Sequence, residues 1–92
     1  MILHLITKGP GALQLTSIKP FIAANDKVLF IEDGVYHCSL QALQLSGAEC
    51  YCLEEDLAAR GMLNRSTAGA TIVSYDGFVS LCVQTDKVKR WS

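Results

Sequence analysis

Charge is scarce in this sequence of 92 residues: Asp, Glu, Lys and Arg make up 18% of it, against a usual share of about 25%. Half of the chain is hydrophobic. That balance excludes an intrinsically disordered chain, which would combine low hydrophobicity with high net charge. A basic excess is missing too. The formal charge is −1, and the one concentrated positive cluster, Lys87, Lys89 and Arg90, is too small for a phosphate-tracking surface, so no direct nucleic-acid contact is expected. No apolar run reaches the roughly 18 to 20 residues that a membrane span requires. The first segment, Met1 to Lys8, has no basic residues ahead of its short run Leu3-His4-Leu5-Ile6, so it does not read as a secretory leader. The expected location is the cytoplasm, away from membranes. Linkers, low-complexity tracts and repeats are also absent, so residues 1–92 are expected to form one domain. A domain this small exposes much surface for its volume and has few charges to cover it. Part of its apolar surface is therefore expected to lie against other subunits.

What is present alternates between short apolar runs and helix-like stretches. Ile2 to Ile6 is a strand candidate, stopped by Lys8-Gly9-Pro10-Gly11. Leu13 to Ala24 reads as an irregular helix starting near Thr16-Ser17, with Pro20 tolerable in a first turn. Lys27 to Ile31 contains Val28-Leu29-Phe30-Ile31, the continuous apolar run of a strand buried on both faces. Asp33-Gly34 turns the chain, Val35 to Leu45 reads as helical through Leu40, Leu43 and Gln44, and Gly47 ends it. Glu49 to Leu53 is a third strand. The stretch from Glu54 to Gly61 is a helix with acids in its first turn, Arg60 in its last and Gly61 just beyond, as the helix dipole favours. Ala70 to Ser74 is a fourth strand. Tyr75 to Gln84 is a helix burying Phe78, Val79 and Cys82, and Val88 to Trp91 adds a fifth strand. Strands alternating with helices imply an α/β class: one small three-layer α/β/α domain whose sheet of about five strands is mostly parallel.

Open parallel sheets bind ligands or partners beyond the carboxyl ends of their strands. Three features fall there: Lys8-Gly9-Pro10-Gly11, Glu32-Asp33-Gly34 and Glu54-Glu55-Asp56. The first lacks the glycine spacing of a phosphate loop and reads as a turn. Glu32 and Asp33 are either an acid pair at the sheet edge or a strand-ending turn. Cys50 and Cys52 are two apart on a strand and point to the same face. They are badly spaced for a disulfide with each other, and His4 and His37 are the only histidines that could complete a zinc site, so no metal is expected. Cys38 is the stronger reactive candidate, because the start of a helix would lower its thiol pKa. His37 precedes it, but adjacent helical residues do not face each other. Cys82 reads as core, and His4 as a satisfied core or interface histidine. No cofactor fingerprint or acid–base constellation is present, and no cofactor is expected.

The order and spacing of four motifs carry a family resemblance. They are the Met1-Ile2-Leu3-His4-Leu5 strand, Val28 to Val35, Leu53 to Gly61, and Tyr75 to Leu81, followed by the terminal Trp91. Together they resemble the DsrH/TusB family over nearly the full length. The resemblance implies a DsrE/F/H-like fold and a subunit of a TusBCD- or DsrEFH-type sulfurtransferase complex. The implied partners are TusC/DsrF-like and TusD/DsrE-like subunits in a cytoplasmic heterohexamer, with a TusA-type sulfur donor and a TusE/DsrC-type acceptor. In the Tus branch the persulfide sulfur ends in the 2-thiolated wobble uridine of tRNA; in the Dsr branch the machinery serves sulfur oxidation. The transfer cysteine of the TusD/DsrE subunit corresponds here to Leu53. Cys52 is one residue away, on the opposite face of the strand. Some relatives carry a cysteine near the first helix, where this sequence has Ile18. These departures point to a non-catalytic subunit, with Glu32, Asp33, Glu54, Glu55 and Asp56 as interface candidates. The alternative is a small sulfurtransferase carrying persulfide on its own Cys38 or Cys52, and the isolated chain is open to forming a homodimer.

Overall fold

Four short apolar segments, each too short to bury itself as a helix, pair with a fifth, more polar one at the carboxyl end. The computed structural model describes residues 1–39, 45, 47–64, 67 and 69–91. Strands β1 (Ile2–Ile6), β2 (Lys27–Phe30), β3 (Glu49–Leu53), β4 (Thr71–Val73) and β5 (Lys87–Trp91) form one sheet in the order β4-β3-β2-β1-β5. Every neighbouring pair is parallel. The expected α/β class and its three layers are thus present, and the sheet is parallel throughout.

The handedness of parallel crossovers decides which face each connection covers. From β1 to β4 the chain steps across the sheet in one direction, so its connections fall on one face. These are α1 (Leu15–Ile18), the 3-10 helix Lys19–Phe21, the 3-10 helix Glu32–Ser39 and α2 (Glu54–Ala59). The step from β4 to β5 runs back across the sheet and places α3 (Tyr75–Gln84) on the other face. The side-chain alternation of the strands agrees with this division. Ile6, Val28, Phe30, Cys50 and Cys52 pack with Ile18, Val35, Cys38 and Leu57 on the first face. Leu3, Leu5, Leu29, Ile31 and Leu53 pack with Leu81 of α3, with Phe78 and Cys82 beside it. Fully buried side chains such as Phe30, Leu3 and Ile6 each stabilise the fold by about 1.5–3 kcal/mol.

Three sequence expectations need correction. The stretch Val35 to Leu45 does not open as an α-helix. A 3-10 helix, Glu32–Ser39, takes up the Asp33-Gly34 turn, and positions 40–44, with Leu40, Leu43 and Gln44, lie outside the described residues. The physical reason is local: Asp, Gly, Val, His and Ser are poor helix formers, and the Gly34 amide bonds the Ile31 carbonyl at 2.8 Å, three residues back. The first helix begins at Leu15, with Gln14 in the capping position and no side-chain cap bond, so Thr16 and Ser17 do not cap it. Val79 is 48% exposed rather than buried, because the turn of α3 that packs Phe78 and Cys82, both half-buried, against the sheet carries their neighbour outward. Among the described residues no helix is long and apolar enough to cross a membrane.

Candidate functional site: the carboxyl edge of the sheet

Because all strands are parallel, their carboxyl ends share one edge, and the chain leaves each strand there. After β2 the exit is tight. Gly34 lies so close to β1 that a Cβ on it would stand 1.8 Å from the Ile6 carbonyl oxygen. The Ile31 amide donates to that same carbonyl at 3.0 Å. Only glycine fits such backbone-to-backbone contact. Two residues earlier, Glu32 has φ 52°, the left-handed region that a non-glycine residue enters at a cost. What holds it there is Asp56, whose carboxylate accepts the Glu32 amide at 2.6 Å.

Four of the five acidic candidates, Glu32, Asp33, Glu55 and Asp56, make contacts at this edge. Asp33 accepts Arg60 Nε at 3.2 Å and Nη2 at 3.0 Å through one oxygen. Arg60 also donates to the Asp56 carbonyl, approaches the Asp56 carboxylate at 3.9 Å and lies over the Tyr36 ring. Glu32 pairs with Arg90 of β5 at 3.7 Å. Glu55 accepts the Tyr75 amide at the start of α3. Glu54 is exposed. Ends of β2, β3, β4 and β5 are thereby tied through acidic side chains. The organiser is Arg60, which sequence reasoning treated only as a helix-dipole partner of α2; the Asp56–Arg60 spacing of four residues was the available signal.

Beyond β1, the Lys8-Gly9-Pro10-Gly11 segment is a turn, with the Gly9 carbonyl accepting the Ala12 and Leu13 amides. Beside it Pro10, Gln14, Leu15, Thr16 and His37 line a cavity of about 260 Å³. His37 is buried, and its Nε2–H donates to the Lys8 carbonyl at 3.0 Å. Burial holds the imidazole below its ordinary pKa, with the Lys8 carbonyl offsetting part of the effect.

The cysteines correct another expectation. Cys38 lies near the end of its 3-10 helix rather than at its start. The neighbouring Cys52 thiol, together with burial, pushes the Cys38 pKa up. Proximity to Cys38 pulls Cys52 below the usual thiol value, and the Cys52 S–H donates to the Thr71 carbonyl at 3.9 Å. Cys50, on the same face of β3 as Cys52, is pushed up by burial to about 11. Cys38 and Cys52 are 1% and 0% exposed, and Cys82 is half-buried on the opposite face.

A second buried group escaped the sequence altogether. Trp91 Nε1 donates to His4 Nδ1 at 3.0 Å. An indole N–H cannot accept, so the imidazole proton sits on Nε2, facing Asp26 at 2.9 Å. Asp26 also accepts the Ile2 and Ala23 amides. Nothing in local sequence links positions 4, 26 and 91; parallel pairing of β5 beside β1 brings them together.

A small, wholly parallel α/β domain with an acid-lined carboxyl edge and a thiol cluster in its core is the class these features define. A family model described as "DsrH like protein" matches residues 9–88. The chain is 35% identical to Protein TusB of Erwinia tasmaniensis over 94 aligned positions, which cover 97% of this chain and 99% of the relative. It is 32% identical to Protein TusB of Photorhabdus laumondii and 28% identical to Protein TusB of Escherichia coli, with the same coverage. The chain belongs to the DsrH-like family.

Proposed function

We propose that this chain is a non-catalytic subunit of a TusBCD/DsrEFH-type sulfurtransferase complex, one that passes persulfide sulfur towards 2-thiolation of the tRNA wobble uridine in the cytoplasm. The observation that carries a subunit role is the outward side of α3. Tyr75, Val79 and Val83 stand at i, i+4 and i+8, exposed by 59%, 48% and 80%, and no basic residue interrupts the helix. Valine is a mediocre helix former, so exposed valines do not serve the helix itself; an apolar ridge of this spacing fits into the groove of a neighbouring helix. Burial of Cys38, Cys50 and Cys52 favours the non-catalytic role over a persulfide carrier, which needs an accessible thiolate. In this reading the TusC/DsrF-like and TusD/DsrE-like subunits supply the covering surface and the transfer cysteine. Glu32, Asp33, Glu54, Glu55 and Asp56 form an acidic contact for a subunit or carrier protein.

The test is affinity capture of the tagged chain from its native host with native mass spectrometry. Recovery of two α/β paralogues in stoichiometric amount is expected. Val83→Asp is expected to abolish their recovery while leaving the circular dichroism and melting temperature of the chain unchanged. Charge reversal of Asp33 and Glu55 together is expected to weaken carrier binding. Capture of the wild-type chain alone, as monomer or homodimer, would overturn the subunit reading.

A further inference from the structure

The two edges of the sheet are unlike. Edge strand β4 spans three residues, Thr71–Val73, whereas β5 runs for five, Lys87–Trp91, in unbroken register with β1. Among the described residues no strand pairs with the outer side of β5. Its backbone alternates. The Trp91 carbonyl is turned to β1, where the Thr7 hydroxyl donates to it at 3.2 Å. By the two-residue period of a strand, the backbone groups of Lys87 and Lys89 face β1 as well, and the N–H and C=O groups of Val88 and Arg90 point outward. The side chains divide too. Lys87, Lys89 and Trp91 share a face with Ile2, His4 and Ile6, while Val88 and Arg90 share the other with Leu3 and Leu5. All four residues from Lys87 to Arg90 are exposed. Lys89 lies over the Trp91 ring at 4.6 Å, and the exposed Phe21 packs on that ring at 5.8 Å. Arg90 has Glu32 at 3.7 Å, but among the described residues no carboxylate pairs with Lys87 or Lys89.

We propose that the outer edge of β5 docks an extended acidic segment of another protein, which adds to the sheet as a further strand. The inference stands on the edge itself and does not depend on the proposed role in a sulfur relay. The outward main-chain groups of Val88 and Arg90 supply the hydrogen bonds of strand addition, and the lysines choose the partner. Lys87 and Lys89 are two residues apart on one face, so acids at every second position of the incoming strand lie opposite both. Val88, between them on the other face, takes an apolar residue. At the carboxyl end Phe21 and Trp91 form an apolar shelf beside Lys89. Charge also decides against a second copy of this chain as the occupant. Two β5 strands side by side would set Lys87, Lys89 and Arg90 against their own kind, and lysines commonly guard an edge against such self-pairing. An acidic strand turns the same guard into attraction. The other edge, β4, is short and has no lysine, so it offers neither the length nor the charge.

The experiment uses the purified full chain and a short fluorescein-labelled peptide in which glutamate and valine alternate. Fluorescence anisotropy should show saturable binding that weakens as salt rises, and a peptide with lysine in place of glutamate should not bind. Two further peptides carry N-methyl groups on the glutamates only or on the valines only. Their N–H groups leave opposite edges of the peptide strand, so one should lose binding and the other keep it, whichever way the strand runs. Hydrogen exchange followed by NMR should show new protection at the Val88 and Arg90 amides. Lys87→Glu with Lys89→Glu should weaken the glutamate peptide about tenfold and admit the lysine peptide. Both side chains are exposed, and the peptide series on the wild type decides the matter even if that variant misfolds. The inference is overturned if the glutamate peptide does not bind, if the two methylated peptides bind alike, or if protection falls elsewhere than Val88 and Arg90. It is equally overturned if concentrating the free chain alone protects those amides, which makes a second copy the occupant, or if a single-stranded oligonucleotide of equal charge binds more tightly than the peptide.

Discussion

At the scale of single residues, the buried titratable groups set how this protein responds to pH. His37 is buried neutral, with its pKa lowered chiefly by desolvation, whereas in the unfolded chain it titrates near 6.5. Below about pH 6.5 the unfolded state therefore binds a proton that the native state refuses, and stability falls until the lower native pKa is reached. The melting temperature of the wild type should drop between about pH 7 and pH 5, and His37→Gln should flatten that slope. Asp26 acts in a lower window. Burial alone would raise its pKa, but the His4 hydrogen bond, with the Ala23 and Ile2 amides, holds it below the ordinary value. Its contribution is thus present above about pH 4, the unfolded carboxyl value, and is lost as pH falls through the native pKa. Asp26→Asn should cost about 1–3 kcal/mol at neutral pH, remove this acid-dependent loss and change the emission of Trp91, the single tryptophan, which is bonded to His4.

At the scale of elements, the 3-10 helix Glu32–Ser39 joins most of what has been described. It starts in a left-handed residue held by Asp56, presses Gly34 onto the Ile6 carbonyl, presents His37 to Lys8 and ends with Cys38 over β3. Gly34→Ala should destabilise the protein by about 2–4 kcal/mol, since the methyl group meets backbone that has no rotamer with which to yield; equilibrium urea unfolding measures it. Helix α3 differs in kind. It is fully described over Tyr75–Gln84, the span that periodicity predicts, yet the prediction put Val79 in the core. A helix with apolar residues on most of its circumference gives no local sign of which apolar residue meets its own sheet and which meets another molecule.

At the scale of the whole molecule, the strands were legible because short apolar runs bounded by glycine, proline and acids have little else to become. The observed β2, β3 and β5 lie within a residue or so of their expected ends. The shared face of Cys50 and Cys52 followed from the two-residue period of a strand and is observed. The acidic candidates were legible as a cluster because parallel strands present their carboxyl ends together. Their tie to Arg60 was not, since it depends on how α2 lies beside the exit from β2. Cys38 was misjudged for a similar reason: its environment comes from β3 beneath it, not from its own helix.

The sequence by itself determined the class of this protein: the alternation of strand and helix, the parallel sheet, the sparse charge and the family motifs are local properties or their simple sum. Tertiary structure alone decided which side chains meet. His4, Asp26 and Trp91 form one network, and Cys38 and Cys52 share one buried cluster, because the strands pair in the order β4-β3-β2-β1-β5. That order sets β5 beside β1 and the 3-10 helix over β3, and contacts between residues far apart in the chain follow from it rather than from any pattern a short stretch of sequence can carry.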